Sequence, residues 1–365
     1  MVIKMNFEDV KAYIDSVKGT EKFRNLEQFT HMTTMDGNKD FFENIQDYVS
    51  HWHYKRGSNK FFDPDYDYFM SFLKHYFSDQ PTEIIYDEKG RVDMKKTLHI
   101  SRPRRFCGKG SCLENAIIFP NGRIFYCKRP FHLLAMNMKD ANRKYFLYSG
   151  LVASYVAKAV NVEAANITLG TSVNGMPNIM SENVLQQNEE LISYADVDDT
   201  EEVKVSEQLD ILGETLRLRK FPEDEIEQTR LDFLKQEFIA KLIGLRDQKA
   251  SNSPIIISTD EKGQRHVRMA PMIDLDVCFD IGKGEVCSLT RQCDNGKDDI
   301  VSLVEQYRIY PGFMDFVKQA VQAINMKEIF NKIYTETGLV EFEEEQDNEM
   351  TQYFEGFVNA NVRIG

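Results

Sequence analysis

The segment spanning residues 223–257 constrains the fold more than any other. Ile226, Leu231, Leu234, Phe238, Ile239 and Leu242 fall largely in phase with a helix over residues 223–245, and Pro222 followed by acidic residues marks its start. A polar stretch comes next, and then Pro254-Ile255-Ile256-Ile257, the short apolar run of a buried strand. A long helix handed to a buried strand through a polar loop makes that loop an exposed connection opening from a rigid core.

The rest of the chain alternates between the two periods. Phe7, Val10, Ile14 and Val17 share one helical face, as do Phe69, Phe72, Leu73, Tyr76 and Phe77, so the first 80 or so residues read as a helical module. From Thr82 the period shortens. Residues 83–100 read as a hairpin about the turn Asp87-Glu88-Lys89-Gly90, and residues 116–128 as a second about Pro120-Asn121-Gly122. Leu147, Leu151, Val152, Tyr155, Val156 and Ala159 predict a helix able to pack on that sheet. Strands follow at residues 167–169 and 191–194, a solvated acidic stretch at 196–202, and helices around 301–307 and 314–324, with a surface charge run at 341–345. With 365 residues the chain exceeds a single core. Three parts are expected: residues 1–100, 101–195 and 196–365.

Composition excludes several classes. No apolar run approaches the roughly 18 residues that span a bilayer, and the start lacks a secretory pattern, so a soluble, cytoplasmic protein is expected. Lys and Arg total 45 against 58 Asp and Glu, a formal charge of -13 that a phosphate backbone would repel. Nucleic acid is therefore an unlikely partner, and Arg102-Pro103-Arg104-Arg105 reads as a solvated turn. The six cysteines show no Cys-x-x-Cys spacing and read as reduced. His51-Trp52-His53 lacks a third ligand nearby and reads as a structural aromatic segment rather than a zinc site.

The chemistry concentrates after the long helix. Asp247 and Asn252 stand five positions apart on the polar connection, with Lys249 between them. In phosphoryl transfer an aspartate orients or deprotonates the attacking hydroxyl, an asparagine holds magnesium, and a lysine neutralises phosphate charge. Downstream, His266 to Met269 forms a second strand-like segment leading into Ala270-Pro271-Met272-Ile273-Asp274-Leu275. A hairpin would return Asp274 beside Asn252, pairing two hard oxygen donors suited to magnesium.

Asp-x-x-x-x-Asn, a strand pair, then Ala-Pro-x-x-Asp-Leu resembles the HipA-like branch of the protein-kinase superfamily. The resemblance spans about residues 105–335 and implies a bilobal, protein-kinase-like α+β fold, with a β-rich N-lobe and a helical C-lobe, here preceded by the helical module. It implies Asp247 as the catalytic aspartate, Asn252 and Asp274 as metal ligands, and ATP with Mg2+ as the nucleotide and metal. Gly108-Lys109-Gly110-Ser111 resembles the family's phosphate loop and Lys128 its strand lysine, because glycine lets backbone amides reach phosphate. Residues 179–195 would then lie near the hinge between lobes.

One feature departs from the pattern: residues 144–158 contain no acidic residue to pair with Lys128, so either Asp140 or Glu163 substitutes, or Lys128 is held differently, or the protein is a degenerate kinase. The expected activity is an ATP- and Mg-dependent kinase acting on serine or threonine of a protein, including itself. The alternatives are a non-catalytic pseudokinase that recruits a regulatory partner, and nucleotidyl transfer on the same fold.

Overall fold

Asn6 and Asp9 start the first helix by a reciprocal capping box: Asp9 N donates to Asn6 Oδ1 (3.1 Å) and Asn6 N to Asp9 Oδ2 (2.9 Å). The structure, a computed structural model, describes residues 5–31, 66–80, 82–103, 114–128, 140–171, 175, 177–186, 188–193, 204–245, 252–275, 278–279, 299–340 and 349–362. The chain divides into two units: Met1–His132 with Thr168–Asn183, and Leu133–Ile167 with Val184–Gly365.

In the first unit, helices α1 (Phe7–Val17), α2 (Glu21–His31) and α3 (Tyr66–Tyr76) precede strands β1 (Val92–Asp93), β2 (Ile100–Pro103), β3 (Glu114–Ile118) and β4 (Ile124–Lys128). With β5 (Ile167–Thr171) and β6 (Pro177–Glu182), these strands form a six-stranded sheet in the order β1-β5-β6-β4-β3-β2. The two-residue alternation of a strand divides the sheet's side chains between two cores. Ile100, Ala116, Ile118, Ile124 and Tyr126 meet Val10, Ile14, Leu26, Phe72 and Leu73 of the helices. Ile117, Phe119, Phe125 and Cys127 instead join Val92, Met94 and Met180. The N-terminal helices thus share a core with the sheet, and each fully buried Leu, Ile or Phe there contributes about 1.5–3 kcal/mol.

The two sequence-predicted hairpins fare differently. The second forms as expected, with β3 and β4 antiparallel, Gly122 at φ +83° and Phe119 N donating to Arg123 O (3.0 Å). The first is reduced to a bridge between Tyr86 and Val92. Asp87 Oδ1 supports the expected turn by accepting from the amides of Lys89 and Arg91, and the pairing stops at Asp93, whose Oδ1 accepts from those of Lys95 and Lys96. Val92 then pairs with Gly170 in parallel, and Ile100 with Ile118.

The second unit contains α4 (Asp140–Ala159), β7 (Glu189–Ile192), α5 (Val205–Leu218), α6 (Glu223–Leu242), β8 (Ile255–Thr259), β9 (Arg265–Met269), α7 (Ile300–Tyr307), α8 (Phe313–Ala323), α9 (Met326–Thr337) and α10 (Glu349–Val362). Strands β7, β8 and β9 form a three-stranded antiparallel sheet. Helix α6 is the unit's axis: residues 236–240 are all buried, which no one-faced helix permits, and it packs on α5, α7, α8, α10 and β9. Glu223, Asp224 and Glu225 in its first turn complement the helix dipole. Among the described residues no helix is long and apolar enough to cross a membrane.

Candidate active site

Helix α6 determines where its following loop begins. The carbonyls of Ala240, Lys241, Leu242 and the C-cap Ile243 lack i+4 partners and are all satisfied otherwise. Gly244, left-handed at φ +60°, lets Leu245 N donate to Ala240 O (2.7 Å) and Gly244 N to Lys241 O (3.2 Å), the Schellman arrangement. Leu242 O accepts from Asn361 Nδ2 (2.9 Å), and Ile243 O from Phe279 N (2.7 Å). The helix stops firmly, and residues 246–251 follow.

Asp247 and Lys249 lie in that stretch, outside the described residues, as do Gly108, Gly110 and Ser111. The segments 51–53, 196–202 and 341–345 lie outside them too, as do Arg104 and Arg105; Arg102 and Pro103 belong to β2.

Asn252 and Asp274 flank the paired end of one hairpin in the chain's topology. The β8–β9 ladder pairs Ile255 with Met269, and Ala270 N extends it by donating to Pro254 O (3.0 Å). Asn252 lies just before Pro254 and Asp274 shortly after Ala270, so both lie beyond the same end of one hairpin, half-buried. Asp274 has φ +59°, a left-handed conformation that aspartate tolerates better than most residues but at a cost.

The backbone around Asp274 is held from several sides. Met272 N donates to Glu163 O (2.8 Å) and Ala165 N to Met272 O (2.9 Å), Gln236 Nε2 donates to Ala270 O (2.7 Å), and Cys278 Sγ to Leu275 O (3.1 Å). Gly150 of α4 approaches closely enough that a Cβ there would lie 3.4 Å from Leu275 O and 3.2 Å from Ile167 Cδ1. Phe279, also left-handed at φ +57°, closes the segment. Periodicity gave no hint of Phe279; a lone glycine inside an apolar helix was the available signal for Gly150.

Lys128 belongs to the first unit, at the end of β4, half-buried, in register with Glu114 and Ile179. Of the two carboxylates considered for it, Glu163 is engaged by Arg268, whose other guanidinium nitrogen holds Glu189 (3.0 Å each). Asp140 opens α4. Residues 179–182 of the expected hinge region belong to β6, and the chain passes between units at Asn183 and Val184.

At the far end of the β8–β9 hairpin, His266 Nδ1 lies 3.0 Å from Glu225 Oε1 and its Nε2 3.7 Å from Asp260 Oδ2. The hydrogen bond to Glu225, helped by Asp260, raises the imidazole pKa above its ordinary value. Glu225 also accepts from Val267 N (3.0 Å), which fastens the hairpin to the first turn of α6.

Among the described residues no three His, Cys, Asp or Glu cluster as a metal site. The pair Asn252 and Asp274 nevertheless fits magnesium, an ion commonly bound through one or two carboxylates plus water and substrate phosphates.

No protein-family model matches the sequence, and neither does any curated relative. Among solved structures, the Helicobacter pylori proinflammatory kinase CtkA aligns at 13% identity and TM-score 0.52, over 75% of this chain and 96% of that one. The toxin–antitoxin complex of HipA, HipB and operator DNA from Shewanella oneidensis MR-1 aligns at 10% identity, over 81% of this chain and 70% of that one, with a TM-score of 0.39. At such identities a likeness concerns fold, and only the first carries weight. The chain has the α+β, kinase-like fold of CtkA, the fold implied by its resemblance to the HipA-like branch.

Proposed function

We propose that the protein is an ATP- and Mg-dependent kinase that phosphorylates serine or threonine of a protein, itself included. The observation that supports this reading is that Asn252 and Asp274 follow from the same end of the β8–β9 hairpin, in a chain with a kinase-like fold. Asp247 accepts the proton of the attacking hydroxyl, and Lys249 offsets charge on the transferred group. Gly108, Gly110 and Ser111 approach the nucleotide phosphates through backbone amides and Lys128 through its ammonium. Asn252 and Asp274 would hold magnesium, which when bound neutralises negative charge on those phosphates.

Full-length protein incubated with Mg-ATP and a serine- and threonine-containing protein substrate should gain covalent mass on itself or on the substrate. Asp247→Asn should lose that transfer while keeping nucleotide-dependent thermal stabilisation. The added mass separates phosphate from AMP, so nucleotidyl transfer on the same fold is read in the same measurement. Mass gain unaffected by Asp247→Asn would refute Asp247 as the base.

A pseudokinase that recruits a regulatory partner is the second reading. It is favoured by the engagement of Glu163 with Arg268, together with a helix that carries no acidic residue after Asp140. Stabilisation by Mg-ATP without any covalent transfer would select it.

A further inference from the structure

The last helix touches both segments that flank the proposed metal site. Tyr353 Oη of α10 donates to the carbonyl of Phe279. The rings of Phe354 and Phe357 stand edge-on to Phe279, with centroids 4.9 and 5.5 Å away. Further along the same helix, Asn361 supplies the donor to Leu242 O (2.9 Å), while Phe279 N supplies the one to Ile243 O (2.7 Å). The contacts form a closed circuit: the end of α6 to Phe279, Phe279 to Tyr353, and Asn361 back to the end of α6.

Phe279 needs such support. A bulky residue in the left-handed region is an outlier that persists only where its surroundings over-determine it. Here its amide, its carbonyl and its ring are each engaged, two of the three by α10. Asp274 lies five residues upstream, and their immediate neighbours are linked where Cys278 Sγ donates to Leu275 O (3.1 Å).

We propose that α10 is a clamp that sets Asp274 relative to the end of α6, with Tyr353 and Asn361 as positioning residues for the magnesium site. The proposal rests on the kinase reading above. Loss of the two side-chain donors frees Phe279 to leave its strained conformation, and the segment carrying Asp274 shifts with it. Residues that orient metal ligands from outside typically change metal affinity about 10–100-fold when replaced.

The test uses the full chain and the double variant Tyr353→Phe with Asn361→Ala. Magnesium is titrated against thermal unfolding at saturating ATP, with Asp274→Ala as the null control. The double variant should need about tenfold more Mg2+ for its half-maximal shift. In parallel, hydrogen exchange without nucleotide should show the Phe279 amide exchanging faster and the Val267 amide unchanged. Unchanged exchange at Phe279 overturns the clamp itself. Faster exchange with an unmoved Mg2+ midpoint overturns the positioning role and leaves α10 a packing element. A wild type that shows no Mg-ATP shift refutes the kinase reading and the positioning claim together, while the exchange measurement still decides whether α10 holds Phe279.

Discussion

The amide of Phe279 donates to the carbonyl of Ile243 across 2.7 Å, joining the segment after Asp274 to the helix end that leads toward Asp247. The bond anchors the end of helix α6, four residues before Asp247 in sequence, to a residue five positions after Asp274. Four predictions test how that anchoring and its surroundings work.

Asp274 combines an adverse backbone with the proposed ligand role, so the two effects separate by substitution. Glycine adopts φ +59° freely whereas alanine does not, so Asp274→Gly should be more stable than Asp274→Ala by about 1 kcal/mol in denaturant unfolding. Both should lose most of the roughly 2.7 kcal/mol that Mg-ATP at about 100 times its dissociation constant gives the wild type. Retention of the full ligand gain in either variant would remove Asp274 from the metal site.

Gly150→Ala places a methyl group 3.2 Å from Ile167 Cδ1 and 3.4 Å from Leu275 O. Helix propensity favours alanine by up to about 1 kcal/mol, but overpacking costs about 1–3 kcal/mol, and the tighter contact is with a buried side chain. A net loss of about 1 kcal/mol is expected in thermal unfolding, together with a weaker Mg-ATP shift. A more stable variant would show that α4 has room to move.

The His266 clasp should depend on pH. Its folded-state pKa is raised, first by the hydrogen bond to Glu225 and then by Asp260, so its contribution is complete below the ordinary value of 6.5. That contribution is lost as pH rises from there through the elevated folded-state value. Arg265 and the turn residues Glu261 and Lys262, near it in sequence, are exposed. Comparing wild type with His266→Gln, the stability difference should be larger at mildly acidic than at mildly alkaline pH. A pH-independent difference would mean that the imidazole acts through packing alone.

Phe72 tests whether the N-terminal helices are integral to the first unit. It is fully buried in the core that also contains Ile100, Ala116 and Ile118 of the sheet. Phe72→Ala should cost about 3–5 kcal/mol and make β3 and β4 susceptible to limited proteolysis along with the helices. Protease cutting confined to residues before 82 would indicate that the helices come away separately.

Much of the architecture was readable in local patterns. The capped helix at 7–17, the Asn-Gly turn at 121–122 and the helix from 223 each rest on interactions a few residues apart, which the sequence displays directly. The α+β class and the β8–β9 hairpin between Asn252 and Asp274 follow from the same local rules. Other features were decided only in three dimensions. The first predicted hairpin stops short where the Asp93 carboxylate captures the amides of Lys95 and Lys96 and Val92 finds a parallel partner in Gly170. Helix α10 was not anticipated, and its role arises from Asn361 reaching a carbonyl 119 residues away in sequence. The sequence by itself determined which groups are available: the aspartates, the asparagine, the lysines and the periods that build helix and strand. Tertiary structure decided which are held together, because left-handed residues such as Asp274 and Phe279, and the partners of α6's last carbonyls, depend on contacts between segments with no local relation.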